Sequence, residues 1–205
     1  MNKKSFILGI IISTAFVLIG CSSSKSAISF SKSANNVNYE AKIDGVSDLV
    51  EMEEKSDLIV TVERLGEDEP VIKRSDGYIV SFYTLSQVRI DDIFSDSTGK
   101  MEKGNIIRVL ENEAYDEESC KSLHAEGYCM MEEGKRYLLF LGKAPQDMDY
   151  YYSVGVNYGT ISLEDDGRDE RVISEDGTKY KDLTEDINDI WGEAKNKYIG
   201  KGRGD

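Results

Sequence analysis

The sequence predicts a mainly β protein: one small, closed or nearly closed antiparallel barrel, with a short N-terminal helix and a C-terminal amphipathic helix. Apolar Leu58, Val60 and Val62 alternate with polar residues, which is the period of a strand with one buried face. Asp-Gly pairs at 76–77, 166–167 and 176–177 mark turns between such segments. A parallel sheet is not expected, because no long helical pattern separates successive strands.

The N-terminus has the three parts of a secretory signal. Lys3 and Lys4 form a basic start, residues 6–19 are an apolar run, and small Gly20 precedes Cys21. The run is shorter than the roughly 20 apolar residues that span a bilayer. The end of this segment, Leu18-Ile19-Gly20-Cys21, resembles a lipobox, which implies lipid on the Cys21 sulfur and cleavage before that residue. We therefore expect a bacterial lipoprotein held on the extracytoplasmic face of the cell membrane, rather than an ordinary signal peptide with a chance cysteine.

The expected organisation follows from composition along the chain. Residues 1–20 are the signal peptide, and residues 21–38, rich in Ser, Lys, Ala and Asn, form a lipidated flexible tether. Residues 39–200 form one domain, and residues 201–205 form a disordered tail. A short helix is expected near 47–54, capped by Ser47.

The strands and the last helix supply the predicted core. Residues 78–90 form a β-rich segment so long that it must coil or bulge, as strands of small barrels do. Residues 136–141 are apolar on both faces, which indicates a central strand. Asp182 and Glu185 resemble a capping box at the start of the C-terminal helix. The expected barrel core is Leu58, Val60, Val62, Phe82, Val88, Ile106, Leu139 and Leu141, and the apolar helix stripe is Ile187, Ile190, Trp191, Ala194 and Tyr198.

The charge of the chain restricts its partners. The net charge is −14, and removal of the signal takes away two lysines and no acid, which gives −16. Such a charge disfavours nucleic acid, whose binding depends on cationic side chains, and it repels anionic lipids and wall polymers. Cationic peptides, basic proteins and divalent cations are the partners compatible with it, and the competing interpretation is that the acidic charge only keeps an exported domain soluble.

Two cysteines remain after lipidation, Cys120 and Cys129. Because disulfides persist outside the cytoplasm, this closely spaced pair predicts one local bridge. Zinc is the weaker alternative, since no CxxC or HxxxH spacing accompanies the pair. The cysteines lie in a polar segment, 112–132, which we expect to be a loop with a helical turn, and the lone His124 in it is expected to be an exposed loop histidine.

Four segments resemble a group of uncharacterised lipoproteins from Gram-positive bacteria: residues 56–60, 83–88, 103–106 and 133–141. Their strand order is similar to the OB-like barrel of netrin-like domains, which include the tissue inhibitors of metalloproteinases. The resemblance implies the fold alone. Those inhibitors reach a protease's zinc with a free N-terminal cysteine, and Cys21 is expected to be lipidated.

No residue pattern predicts a catalytic site, a cofactor or a resident metal. Tyr150 and Tyr152 share one parity of a strand and could present an aromatic binding surface for sugar or peptide, although core packing is the competing interpretation. Residues 164–170 are acidic but lack EF-hand spacing. We expect a non-enzymatic domain that binds a protein or peptide. The alternative is a hydrolase or divalent-cation-dependent enzyme that uses carboxylates, which would need a cleft of acids with raised pKa values.

Overall fold

The computed structural model describes residues 36–42, 44–145, 148–164 and 181–200, with the backbone alone for 181–186. These residues belong to one compact unit, Ala34–Asp205. Its strands are β1 (Asn36–Tyr39), β2 (Leu58–Glu67), β3 (Val71–Ser75), β4 (Tyr78–Asp96), β5 (Ile106–Glu111), β6 (Glu113–Asp116), β7 (Lys121–Ala125), β8 (Arg136–Lys143), β9 (Tyr151–Ser153) and β10 (Thr160–Ser162). Its helices are α1 (Leu49–Glu54) and α2 (Lys181–Tyr198).

The centre of the fold is a closed five-stranded barrel, so the predicted mainly β, OB-like architecture is confirmed. The strands follow the order β2-β4-β5-β9-β8, and β8 pairs with β2 to close the ring. One pair departs from the prediction, because β5 and β9 are parallel. A long connection through β6, β7 and β8 separates these two strands, and such a connection can return the chain in the same direction.

The long strand β4 belongs both to a hairpin and to the barrel. Its first part pairs with β3 in a projecting hairpin, and its second part pairs with β2 and β5 in the barrel. The hairpin turns at Asp76 and Gly77, both with positive φ, as the sequence predicts. The expected irregularities occur as three register shifts between β2 and β4, which let the long strand coil around the barrel.

The barrel interior is filled by inward-facing residues of the five barrel strands, together with Met131 from the segment before β8. The strand residues are Leu58, Val60, Val62, Val88, Ile90, Ile107, Val109, Tyr137, Leu139, Leu141 and Tyr151. Of the eight predicted core residues, six lie here, and the exceptions are Ile106 and Phe82. Ile106 is 60% exposed, because the register of β5 turns Ile107 and Val109 inward. Phe82 is half-buried and packs beside Tyr39, with ring centroids 5.3 Å apart.

A second apolar cluster lies outside the barrel, between its wall and the two helices. As predicted, Ile187, Ile190 and Trp191 pack in one cluster with the outward-facing residues of β2 and β8. Trp191 Nε1 donates a hydrogen bond to the Tyr158 carbonyl at 2.7 Å. This second cluster explains why β8 is apolar on both faces: Leu139 faces the interior and its neighbours face the helices. No helix among the described residues is long and apolar enough to cross a membrane.

The helix α1 begins one residue later than predicted. Its N-cap is Asp48, whose Oδ1 accepts from the Glu51 N–H at 2.8 Å, whereas Ser47 donates to Glu51 Oε2. Asp48 thus caps the Glu51 N–H, and the Glu51 carboxylate accepts from the N–H and the hydroxyl of Ser47, one residue before the N-cap, in a variant of the capping box. Hydrogen bonds from Lys55 and Ser47 lower the pKa of Glu51 to about 2.

A three-stranded sheet replaces the polar loop that the sequence predicts for residues 112–132. Its order is β1-β7-β6, with β6 and β7 forming a hairpin and β1 running parallel to β7. The strand β1 begins three residues before the predicted start of the domain, so the end of the predicted tether is part of this sheet. The strands of this sheet are only four or five residues long and contain many polar residues. They therefore offer too few apolar positions for an alternating pattern to be recognised in the sequence.

Candidate functional site

Several features predicted from the sequence lie outside the described residues. Cys21, the lipobox, the C-terminal tail and residues 165–170 of the acidic segment belong to this group. The side chains of Asp182 and Glu185 are also outside it, although α2 begins at Lys181, next to the predicted cap. The predicted sites inside the described residues are the cysteine pair, His124 and the two tyrosines.

The predicted disulfide between Cys120 and Cys129 is wrong for this structure. Both residues carry thiols, and their sulfurs are not at disulfide distance. Cys120 precedes β7 at the turn of the β6–β7 hairpin, whereas Cys129 follows β7 and returns to the opposite end of that hairpin. These ends are about 10 Å apart at the usual strand rise of about 3.3 Å per residue, and a disulfide needs Cα atoms about 4.4–6.8 Å apart.

The two predicted tyrosines lie on the outer wall of the barrel, where β4, β5 and β9 run side by side. Strand register places Leu85 opposite Leu110 and Leu110 opposite Tyr152. Tyr150 lies just before β9, with its ring centroid 6.4 Å from that of Tyr83. We call these five residues the tyrosine face. Tyr151 points the other way, into the barrel interior, so the alternation inferred from the sequence is confirmed.

The position of Tyr152 depends on a glycine in the neighbouring strand. A Cβ at Gly142 would lie 2.5 Å from Tyr152 Cζ and 2.6 Å from its hydroxyl oxygen. The ring therefore crosses β8 at the one residue there without a side chain. Tyr152 is nevertheless 44% exposed, so one side of the ring is open to a ligand.

Charged groups border the tyrosine face. Arg108, two residues before Leu110 in β5, donates from Nη2 to Asp149 Oδ2 at 3.1 Å and lies 3.7 Å from Asp68 Oδ2. The Asp149 side chain is wholly exposed. Gln87 also donates to Asp68, at 2.8 Å. At this border, the Arg108 guanidinium is therefore shared between the carboxylates of Asp68 and Asp149.

A buried polar network links the barrel to the β6–β7 hairpin. Glu111 is fully buried, and its carboxylate accepts hydrogen bonds from Ser86 Oγ at 2.6 Å and from the Tyr128 hydroxyl. Arg64 Nε donates to Ser86 at 3.0 Å and extends the network. Burial raises the pKa of Glu111, and the hydrogen bonds oppose that rise. The network joins the barrel strands to the segment after β7. Because the Glu111 carboxyl is enclosed, a substrate cannot contact it.

His124 is not the exposed loop residue that the sequence predicts. It is only 3% exposed, and it lies directly opposite Glu113 across the β6–β7 pair. Its Nδ1 is 2.8 Å from the Tyr128 carbonyl oxygen and 3.4 Å from Glu113 Oε2. Desolvation lowers the pKa of His124, but the Glu113 carboxylate and the Tyr128 carbonyl outweigh it, so the pKa is raised overall.

Cys129 lies beside His124 and Glu113 and forms a three-residue group with them. Its sulfur, one ring nitrogen of His124 and one carboxylate oxygen of Glu113 all lie within 4.8 Å of one another. A turn at Glu126 and Gly127, both with positive φ, reverses the chain after β7 and brings Cys129 back to the hairpin. The spacing of the three residues carries no metal-site signature. The Glu126-Gly127 turn after the short segment Lys121–Ala125 is the sequence signal that could have indicated a hairpin here.

No protein-family profile matches this chain, and no curated protein matches it in sequence. Two features of the described residues therefore bear on function, namely the tyrosine face and the largely buried group around His124.

Proposed function

We propose that this protein is a surface-displayed lipoprotein whose barrel binds a cationic peptide segment of a protein partner, without catalysing a reaction. The observation that supports the proposal is the tyrosine face. Aromatic and aliphatic side chains form a continuous, partly exposed row across three strands of the barrel wall. OB barrels use this wall, formed by their second and third strands, to bind extended ligands.

The charge of the chain favours a cationic peptide. The exported domain would carry about −16, counted without the signal lysines, and a long-range field of this sign attracts basic ligands. At the border of the tyrosine face, the exposed Asp149 carboxylate can receive a lysine or arginine of the ligand. Nucleic acid, a common ligand of OB walls, is disfavoured by the same field.

The alternative of a carboxylate-dependent enzyme has less support. Among the described residues, Glu111 is the acid whose pKa burial raises, and it is fully enclosed by hydrogen-bonding partners. A general acid must come within hydrogen-bond reach of its substrate. Glu111 has no exposed surface on which a substrate could meet it, so its raised pKa is better explained by the network that joins barrel and hairpin.

The binding proposal is tested with a panel of fluorescently labelled basic peptides and charge-neutral peptides of the same length. We expect the full-length protein to bind basic peptides, with affinity that falls as salt is added. Tyr152→Ala should weaken binding by about 10-fold or more, since aromatic side chains dominate such contacts. Tyr78→Ala is the matched control, because Tyr78 is 77% exposed but lies on the β3–β4 hairpin. Equal loss in both variants, or no preference for basic peptides, would contradict the proposal.

The membrane anchor is tested separately. Cys21→Ser should abolish incorporation of labelled palmitate and leave either uncleaved precursor or released protein. Cys120→Ser is the control, because it removes another exposed thiol and keeps the lipobox. If Cys21→Ser still incorporates palmitate and stays with the membrane fraction, the lipoprotein assignment is wrong.

A further inference from the structure

We propose that Glu113, His124 and Cys129 form a binding site for one divalent metal ion of the zinc class. This site is independent of the tyrosine face. It lies on the β6–β7 hairpin, whereas the tyrosine face lies on β4, β5 and β9.

The spacing of the donor atoms suits a single small ion. One carboxylate oxygen of Glu113, one ring nitrogen of His124 and the sulfur of Cys129 all lie within 4.8 Å of one another. Two ligands placed about 2.1 Å from a tetrahedral zinc ion are about 3.4 Å apart. Small inward rotations of the three side chains would therefore bring the donor atoms to this separation and leave a fourth position for water.

The backbone fixes two of the three donors. Glu113 and His124 are a cross-strand pair, so their side chains leave the hairpin on the same face. Glu113 Oε2 also accepts from the Met130 N–H at 2.7 Å, which orients the carboxylate. Supporting hydrogen bonds of this kind are usual around metal-binding carboxylates.

His124 provides an independent indication of a ligand. The Tyr128 carbonyl can only accept, so Nδ1 of the ring carries the proton that lies between them. In the neutral ring the lone pair is then on Nε2, a buried atom with no hydrogen-bond partner among the described residues. A buried acceptor without a partner is costly, and a ring whose other nitrogen donates to a backbone carbonyl is the usual form of a metal-ligating histidine.

The chemistry of the donors selects the ion. Sulfur and imidazole nitrogen favour zinc and its neighbours over calcium and magnesium, which prefer oxygen ligands. The thiol must lose its proton to solvent when it coordinates the ion. Glu113 and Cys129 are both partly exposed, which leaves a route for the ion to enter.

The test uses Co²⁺ as a spectroscopic probe on the reduced full-length protein. We expect one Co²⁺ per chain, a near-ultraviolet thiolate-to-cobalt charge-transfer band, and loss of that band when Zn²⁺ displaces the cobalt. Cys129→Ser should abolish the band. Glu113→Gln should weaken Co²⁺ affinity at least tenfold, because even loss of a supporting partner costs about 10–100-fold.

Cys120→Ser is the matched control, since it removes the other thiol of the same hairpin at the opposite end, and it should keep the band. Circular dichroism of each variant separates loss of the ion from loss of the fold. The proposal is overturned if the folded wild-type protein shows no charge-transfer band, or if Cys129→Ser retains it.

Discussion

The ring of Tyr152 occupies the space that a side chain at Gly142 would need, with Tyr152 Cζ 2.5 Å from the position of a Cβ. This contact joins β9 to β8 on the outer wall of the barrel. The absence of a side chain at one residue thus decides where the most exposed ring of the tyrosine face lies.

We expect Gly142→Ala to displace the Tyr152 ring and to weaken peptide binding. The free energy of unfolding should change by less than about 1 kcal/mol, because the half-exposed ring can turn into solvent and alanine restricts the unfolded chain. Chemical denaturation and peptide titration measure the two effects. Unchanged peptide affinity would show that the ring position is irrelevant to binding.

Gly159→Ala should behave differently. A Cβ there would lie 2.6 Å from the Phe140 carbonyl oxygen and 2.8 Å from the Val154 carbonyl oxygen. Backbone atoms cannot swing away as a side chain can, so we expect a loss of about 1–3 kcal/mol in the free energy of unfolding. A Gly159→Ala protein as stable as Gly142→Ala would contradict the placement of Gly159 against the barrel wall.

Leu139→Ala tests the barrel core. Leu139 is fully buried, and its truncation should lower the free energy of unfolding by about 2–5 kcal/mol through lost burial and a cavity. Ile106→Ala is the control on the same barrel, because Ile106 is 60% exposed and its truncation should cost at most about 0.5 kcal/mol. Similar costs for the two variants would mean that the register of β5 is not the one described.

The cysteines should react as two separate thiols. Without reductant or metal, folded protein should take up one alkylating group at each of Cys120 and Cys129. The exposed Cys120 should react faster than the half-buried Cys129. Mass spectrometry of the alkylated protein reports both positions. A bridged peptide containing both residues would restore the disulfide that the sequence suggested.

Asp96 should contribute to the dependence of stability on pH. Burial opposes its ionisation, but hydrogen bonds from the Met101 N–H at 2.8 Å and from Thr98 outweigh burial and hold its pKa below the usual 3.8. A carboxyl whose folded pKa is depressed stabilises the fold above its unfolded pKa, and this contribution disappears as pH falls through the folded value.

We therefore expect Asp96→Asn to be less stable than wild type at neutral pH, with a difference that narrows below about pH 4. Urea denaturation at a series of pH values measures this difference. Asp76→Asn is the control, because Asp76 lies in the exposed β3–β4 turn. A difference from wild type that is constant across the pH range would show that ionisation of Asp96 does not stabilise the fold.

The sequence by itself determined the features that depend on local periodicity. The alternation around Val60 and the apolar stripe around Trp191 predicted a barrel core and a packed helix, because burial of one face imposes a period on the chain. Parity alone also placed Tyr151 opposite to Tyr150 and Tyr152. These inferences need no knowledge of which strands become neighbours.

Only the tertiary structure decided the features that depend on distant pairings. From the sequence, Ile106 is expected in the barrel core, but the pairing of β5 with β4 and β9 fixes which residues face inward, and so Ile107 takes that place. The same holds for Glu113, His124 and Cys129. Their sequence spacing carries no signal, and they come together because a short hairpin and a turn with two positive φ values place them on one face.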